Sequence, residues 1–227
     1  MVKVSCILPA CYGKMALLAV DCFLTQTYED RELIVLDNNV EGETIEDLLP
    51  QDERIHYYRV PKMPVGALRN LGTSYATGEI ICTWDADDWY APTRIEEQVK
   101  RLEDSGKSVT GWHNIFYYDM SDGHTYKYLY EPDVGRNHPP YAMGTSHCYL
   151  KSYWDQHPYP DFGIEDFEWQ LTAMHLGQLD SCDADQLAVA RAHDGSQCPP
   201  QFGHRQFPAV PKDTLPNQFF TALRRIA

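Results

Sequence analysis

The sequence predicts an α/β fold with a mainly parallel central sheet flanked by helices. Two observations carry this. Short apolar runs alternate with amphipathic stretches through the first half of the chain, and acidic residues stand where two of those runs end, at Asp37 and Asp85. Strand, helix and strand repeated in this order are the mark of parallel strands joined by helical crossovers. Ligands of such sheets lie outside the carboxyl ends of the strands, so Asp37 and Asp85 are expected to face one crevice.

The elements follow in order. "KVSCILP" reads as a strand closed by Pro9, and "MALLAVDCFLTQ" as an amphipathic helix offering Leu17, Leu18, Phe23 and Leu24 to the core. Next come the strand "ELIVLD", a short helix in "ETIEDLLP" stopped by Pro50, and the strand "IHYYRV". "GALRNLGTSYAT" reads as a helix ended near Gly78, "EIICTWD" as a strand, and "TRIEEQVKRLEDSG" as a helix ending near Gly106. Beyond it the pattern changes. "SVTGWHNIFYYD" and "TYKYLYEP" read as strands joined by the turn "SDG", with Pro-rich loops in "RNHPPYAMG" and "QHPYPDFG". "EDFEWQLTAMHLG" is a further helix stopped by Gly177, and "NQFFTALRRIA" a short helical segment. No repeat or long linker divides the chain, so residues 1–205 are expected to form one domain, with halves at 1–106 and 107–205. Residues 206–227 follow as a C-terminal arm for packing or for contact between copies in a homo-oligomer.

A chain of 227 residues with 43% hydrophobic residues can bury one substantial core. Its 19 Lys and Arg stand against 33 Asp and Glu, a net charge of -14 that opposes broad contact with nucleic-acid phosphates or anionic membranes. The seven cysteines are odd in number and scattered, without CxxC pairs or metal-finger spacing, which points to a reduced, cytoplasmic protein with thiols in its core. No window approaches the ~20 apolar residues of a membrane span.

The segment "ICTWDADDWYAP" sets Asp85, Asp87 and Asp88 together after an apolar run. Like charges so close raise one another's pKa unless a cation, a donor-rich ligand or open water compensates. One or two carboxylates together with phosphates and water are what Mg2+ or Mn2+ binds. The structural alternative is a solvated turn in which one aspartate caps the following helix.

The order of elements, with the segments "VSCILPACYG", "QTYEDRELIVLD", "PVGALRNLGTSYATGEII", "DADDWYAP", "GIEDFEWQL" and "RAHDGS", resembles a family 2 glycosyltransferase of the GT-A fold, the Rossmann-like fold of nucleotide-diphospho-sugar transferases. The resemblance runs from about Val2 to about Ser196. It implies a metal-dependent, inverting transfer of a sugar from a nucleotide-diphosphate sugar, a UDP-sugar in the first instance, to an acceptor hydroxyl. Asp87 would then hold the ribose or metal, Asp88 the metal, and Asp85 would support them. His193 matches the position of a further metal ligand, and Asp166, with Glu165 beside it at a predicted helix N-terminus, matches the catalytic base. Capping of that helix by the same carboxylates is compatible with the role.

On the donor side the resemblance brings in Pro9 at the end of the first strand and Tyr12 as a stacking partner for the base. It also brings in Asp37 and Asn38 after the second strand, and Arg69 as the cation for base or phosphates. The sequence departs from the family at Asn38, where a second aspartate is usual; an Asn offers a donor as well as an acceptor, which leaves uracil recognition open but no longer implied. Arg69 read without the resemblance is a helix-surface charge. Trp112 and His147 are candidates for the acceptor site, an aromatic run in strands being otherwise core. The acceptor expected is a glycan. A hydroxymethylated base of DNA is a variant the acidic charge disfavours, and a nucleotide-sugar-binding module without activity is the alternative of another class.

Overall fold

The computed structural model describes residues 1–39, 44–130, 140–161, 164–196, 202 and 206–226. β1 (Val4–Pro9) is followed by α1 (Ala16–Leu24), β2 (Arg31–Asp37), β3 (Ile55–Arg59), α2 (Val65–Tyr75) and β4 (Ile80–Thr83). β1 and β2 are buried at every position. That is why they read as near-continuous apolar runs, since a parallel strand covered on both faces has no solvent side. β1 pairs in parallel with β2 and β4, and β2 with β3.

The chain continues with β5 (Asp88–Tyr90), α3 (Arg94–Ser105), β6 (Val109–Asp119), β7 (Thr125–Tyr128) and β8 (Cys148–Leu150). α4 (Lys151–Trp154), α5 (Glu165–His175), β9 (Leu179–Asp183), β10 (Ala188–Ala192) and α6 (Asn217–Ile226) complete it. The strands form one sheet in the order β3-β2-β1-β4-β8-β6-β10-β5, with β7 and β9 also paired to β6. Five of the nine pairings among the described strands are parallel. The antiparallel ones are local: β8 enters between β4 and β6 against both, β7 turns back on β6, and β5 runs against β10.

Apolar side chains fill both faces of the sheet. One cluster gathers Leu18, Phe23, Trp84, Tyr90, Ile95 and Trp112, the other Leu68, Tyr149, Tyr159 and Trp169. Arg94 lies fully buried in the first cluster, its guanidinium 3.9 Å from the Tyr90 ring centroid, 4.5 Å from that of Trp84 and 5.2 Å from that of Trp112. It donates to the carbonyls of Thr83 (2.6 Å) and Thr145 (2.9 Å) and to Gln98 Oε1 (3.0 Å). A buried cation without a carboxylate is tolerable here because carbonyl dipoles and ring faces replace its water. The end of β4 is thereby tied to the turn at 144–146.

The C-terminal segment is less separate than an arm. Leu129 N–H donates to the Gln206 carbonyl (2.9 Å), Lys127 N–H to that of Pro208 (3.2 Å), and Val210 N–H to that of Thr125 (2.9 Å). Residues 206–210 thus run along the outer edge of β7, and α6 then sets Phe219 against Trp89 and Tyr118. Among the described residues no helix is long and apolar enough to cross a membrane.

Candidate active site

A crevice of about 880 Å³ opens at the carboxyl end of β1 and β4. Its lining runs from Pro9, Cys11, Tyr12 and the turn Asp85–Ala86–Asp87–Asp88 on one side to Ile164, Glu165, Asp166 and Phe167 on the other, joined by Gly144 against Asp166 and Thr145 against Asp88. Arg69 lies between the two sides. Its Nη1 donates to Glu165 Oε1 (2.6 Å) and its Nη2 to Asp85 Oδ1 (3.2 Å), with only 5% of the side chain exposed. Burial opposes the Arg69 charge, but Asp85, Tyr159, Glu165 and Asp166 outweigh it, so its pKa is raised. Arg69 is therefore the cation at the centre of the site, committed to carboxylates.

The three aspartates differ in surroundings. Asp88 is buried; its Oδ2 accepts from Thr145 Oγ1 (2.6 Å) and its Oδ1 from Arg191 N–H (3.3 Å). Burial, followed by repulsion from Asp87 and Asp85, pushes its pKa well above the ordinary carboxylate value. Asp85 is pushed up by burial too, with Arg69 opposing and Asp87 adding repulsion. Asp87 keeps 19% of its side chain exposed, and its Oδ2 lies 3.3 Å from His193 Nε2. Gly195 N–H donates to His193 Nδ1 (3.1 Å), so the neutral ring carries its proton on Nε2 and presents it to Asp87. The Tyr12 ring meets the His193 ring edge-on at 4.9 Å.

None of the three caps α3, whose N-cap residue is Thr93, with no side-chain capping bond. Among the described residues no group of three or more His, Cys, Asp or Glu side chains is placed to hold a metal ion. Of the expected trio, Asp87 and Asp88 line the crevice, and His193 meets Asp87 Oδ2 without lining it.

Asp166 and Glu165 open α5, where the first-turn N–H groups favour negative charge. Asp166 Oδ1 accepts from Phe167 N–H (2.7 Å). Burial pushes the Glu165 pKa up and Arg69 pulls it down, with burial prevailing. Gly66 of α2 lets α5 come this close, because a Cβ there would stand 2.2 Å from the Pro160 carbonyl and 3.1 Å from Glu165 Cβ.

Five expected residues stand outside the crevice lining, among them His193, which touches it through Asp87 and Tyr12. Asp37 closes β2, but its carboxylate turns to the neighbouring strand, accepting from Tyr57 Oη (2.7 Å) and Arg59 Nη1 (2.8 Å) and from Asn39 N–H (3.0 Å). This corrects the expectation that Asp37 and Asp85 face the same space. Asn38 sits behind the wall against Cys11, with Nδ2 3.5 Å from the Met63 carbonyl. Trp112 is core, stacked near Arg94, and His147 is fully buried between Tyr159 and Trp169. Burial lowers the His147 pKa to about 4, so at neutral pH it is an uncharged core residue. Neither is placed to meet an acceptor.

Several lining residues were not foreseen. Arg191, buried on β10, donates from Nε and Nη2 to the carbonyls of Asp87, Ala86 and Met15, pinning the acidic turn. Its sequence signal was a lone charge inside the apolar run "LAVARA". Thr145 completes a chain of hydrogen bonds: Asp85 N–H donates to Tyr90 Oη (2.9 Å), which meets Thr145 Oγ1 at 2.7 Å, which donates to Asp88. Nothing in the local sequence announces this. Tyr117, Tyr128, Tyr141 and Phe207 form an aromatic end wall.

Comparison with known proteins accounts for most of the chain. The model of the family described as Glycosyl transferase family 2 matches residues 5–159. Glycosyltransferase GlyG of Streptococcus pneumoniae is 31% identical over 121 residues, 52% of this chain and 40% of that protein. An uncharacterized glycosyltransferase of Rickettsia felis is 32% identical over 107 residues, 45% of this chain and 18% of its own length. The matches thus span less than half of either curated relative. Among solved structures, S. aureus TarS in complex with UDP-GlcNAc has a TM-score of 0.60 at 13% identity, covering 99% of this chain and 65% of that one. The mannosyltransferase PcManGT from Pyrobaculum calidifontis, in complex with GDP-Man and Mn2+, has a TM-score of 0.60 at 16% identity, covering 86% and 58%. These likenesses show the GT-A fold. The family match takes in the parallel strands from β1 to β4, the acidic turn after β4 and the turn at 144–146, and with most of the chain so accounted for, this protein belongs to glycosyl transferase family 2.

Proposed function

We propose that the chain is a metal-dependent, inverting glycosyltransferase that moves a sugar from a UDP-sugar to an acceptor hydroxyl. The observation that carries this reading is the meeting of two differently placed carboxylates in one crevice, Asp87 on the strand side and Asp166 at the head of α5. The solved relatives bound to UDP-GlcNAc or to GDP-Man and Mn2+ support a nucleotide-sugar donor. The free thiols among the described cysteines suit a reducing compartment, which we take to be the cytoplasm.

The residues present fit a divalent cation in part. Asp87 fits best: a part-exposed carboxylate at the crevice wall is the hard ligand Mn2+ or Mg2+ takes, with diphosphate oxygens and water completing the sphere. Asp88 and His193 fit only by giving up hydrogen bonds, Asp88 those from Thr145 and Arg191 N–H, His193 the Nδ1 contact with Gly195 N–H. When bound, such a cation stabilises the charge of the departing diphosphate.

The chain's own residues do the rest. Pro9, Cys11 and Tyr12 wall the nucleotide end, with the Tyr12 ring held by His193. Asp166 accepts the proton of the acceptor hydroxyl as its oxygen attacks the anomeric carbon from the face opposite the diphosphate, which inverts that centre in one displacement. Arg69 holds Glu165 and Asp85 and so fixes the spacing of the two sides. Donor and acceptor thereby meet in one geometry, worth several powers of ten in rate.

The test is thermal stability with UDP-, GDP-, CDP- and dTDP-sugars, with and without Mn2+, on the native chain and on Asp166→Asn. A donor at a hundredfold its Kd should add about 2.7 kcal/mol of stability. For a chain of this size that is roughly 5–10 °C in Tm. The expected result is a Mn2+-dependent shift with UDP-sugars that Asp166→Asn retains while losing transfer. A shift with no nucleotide sugar would overturn the donor assignment. Transfer surviving in Asp166→Asn would overturn the base.

A further inference from the structure

α2 meets the chain leading into α5 along one face. Arg69 and Asn70 follow Gly66 by three and four residues, so the three share that face. A Cβ at Gly66 would stand 2.2 Å from the Pro160 carbonyl oxygen, and Arg69 Nη1 reaches Glu165 Oε1 at 2.6 Å. Asn70 makes the third contact. Its Nδ2 donates to the Tyr159 carbonyl (2.8 Å), and its Oδ1 accepts from Tyr159 N–H (2.9 Å) and from Trp154 Nε1 (2.8 Å). The amide orientation is fixed by these partners, since the reverse would set an NH2 group against two donors.

Tyr159 stands between Pro158 and Pro160, which have no N–H, so its own N–H is the single backbone donor of the three residues. No helix or strand covers residues 155–161. The Asn70 carboxamide therefore takes the place of a neighbouring strand, pairing with both backbone groups of one residue. Aspartate could accept from both N–H groups but would set an oxygen against the Tyr159 carbonyl, and leucine, of similar shape, forms no hydrogen bond at all.

From Tyr159 the constraint passes to the head of α5. The Tyr159 ring stacks on that of Trp169 (centroids 4.5 Å, planes 18° apart), one turn beyond Asp166 on the helix, and Trp169 Nε1 donates to the His157 carbonyl (2.6 Å). Both rings are buried. The Arg69 guanidinium lies 5.6 Å from the Tyr159 centroid. Arg69 lines the crevice and Asn70 does not, so any influence of Asn70 on the site runs through the protein.

We propose that Asn70 is a positioning residue for the transfer: by holding Tyr159 it sets the seat of Trp169, and with it the depth at which α5 presents Asp166 to the donor. The proposal rests on the transferase reading, in which Asp166 takes the proton of the attacking hydroxyl. A shift of α5 by about an ångström would leave donor binding as it is and cost on the order of a hundredfold in rate.

The experiment compares the native chain with Asn70→Asp and Asn70→Leu in Mn2+-dependent UDP release from UDP-glucose and UDP-N-acetylglucosamine, with water as acceptor. In that reaction the bond from the anomeric carbon to the diphosphate breaks and the water oxygen takes its place. One water proton passes to Asp166, the other stays on the new hydroxyl, and UDP and free sugar leave. The tryptophan indole resonances of the same proteins are followed by proton–nitrogen correlation NMR. Expected are a kcat lowered about a hundredfold in Asn70→Leu and about tenfold in Asn70→Asp, with donor KM unchanged in both. The Trp154 and Trp169 indole resonances should both move in Asn70→Leu, while that of Trp84, bonded to the Ala19 carbonyl (2.8 Å), stays. Native kcat in both variants, a donor KM that rises in step with the loss of kcat, or a Trp169 resonance that stays while that of Trp154 moves would overturn the proposal. If Asn70→Leu does not fold, Asn70→Asp carries the same comparison. Absence of UDP release by the native chain would instead overturn the transferase reading, and the Trp169 resonance would still decide the coupling.

Discussion

The Asp166 carboxylate occupies the space that a side chain at Gly144 would need. A Cβ built on Gly144 would stand 2.0 Å from Asp166 Oδ2 and 2.7 Å from Asp166 Cβ. The next residue, Thr145, donates to Asp88. One turn of backbone therefore sets the distance between the proposed base and the acidic turn across the crevice. Gly144→Ala should push Asp166 aside by about an ångström, and a displacement of that size costs on the order of a hundredfold in rate. The expected outcome is a kcat reduced about a hundredfold with the donor-induced thermal shift unchanged. Equal loss of both would assign Gly144 to folding alone.

Arg69 is the second point of control. Its guanidinium fork reaches two carboxylates from two different elements, a reach that the single ammonium of lysine does not reproduce. Arg69→Met leaves Asp85 and Glu165 facing each other without a cation and should cost about 3 kcal/mol in urea unfolding. Arg69→Lys should recover only part of it. If Arg69 served chiefly to bind the donor phosphates, both variants would unfold like the native chain and only the donor KM would rise.

Acid should weaken the fold in a window that His147 defines. Its pKa falls from 6.5 to about 4 because burial disfavours the charged ring. The unfolded chain thus binds a proton at this site between those values while the folded chain does not. The stabilisation is complete above pH 6.5, shrinks as pH falls and is gone below pH 4, on the order of 3 kcal/mol in all. His147→Asn should flatten the slope of stability against pH in that range. Glu32, held down to about 2 by its bonds from Lys3, Ser5 and Thr77 against the cost of burial, loses its share only below pH 4.5, which keeps the two separable.

Trp112 tests the division between core and site. Trp112→Leu removes one of the three rings around Arg94 and should cost about 2–4 kcal/mol. Acceptor KM in the surviving folded enzyme should stay as it was. A specific rise in acceptor KM would return Trp112 to the binding surface.

What could be read from the sequence was what periodicity and chemistry mark. β1, β2, β4 and the helices between them announce themselves through buried runs and amphipathic spacing, and the acidic turn through its charge. β5 and β8, three residues each, are too short to show any period, so the antiparallel insertion between β4 and β6 was invisible. Asp37 misled because strand ends point toward a crevice only if no neighbour claims the side chain. In register β2 sets Asp37 opposite Arg59, and the ion pair wins. Trp112 and His147 misled because both faces of this sheet are covered: Trp112 packs with Trp84 around Arg94 in one cluster, and His147 lies against Tyr159 and Trp169 of the other. Phe207 lay in a segment read as an arm, since one strand's pairing with another's edge leaves no mark in either sequence alone.

The placement of β8 has a consequence for synthesis. On the ribosome β4 emerges with one edge open, and the strand that covers it ends at Leu150. The wall of the crevice waits longer still, for Phe207. Pairings this distant are closed late, because the entropy of the intervening loop must be overcome first. The nascent N-terminal half therefore carries an unpaired, apolar strand edge of the kind that recruits other chains. A fragment ending at Gly106 should accumulate in aggregates, whereas the full chain, with β8 in place, should refold from dilute denaturant to a soluble monodisperse species.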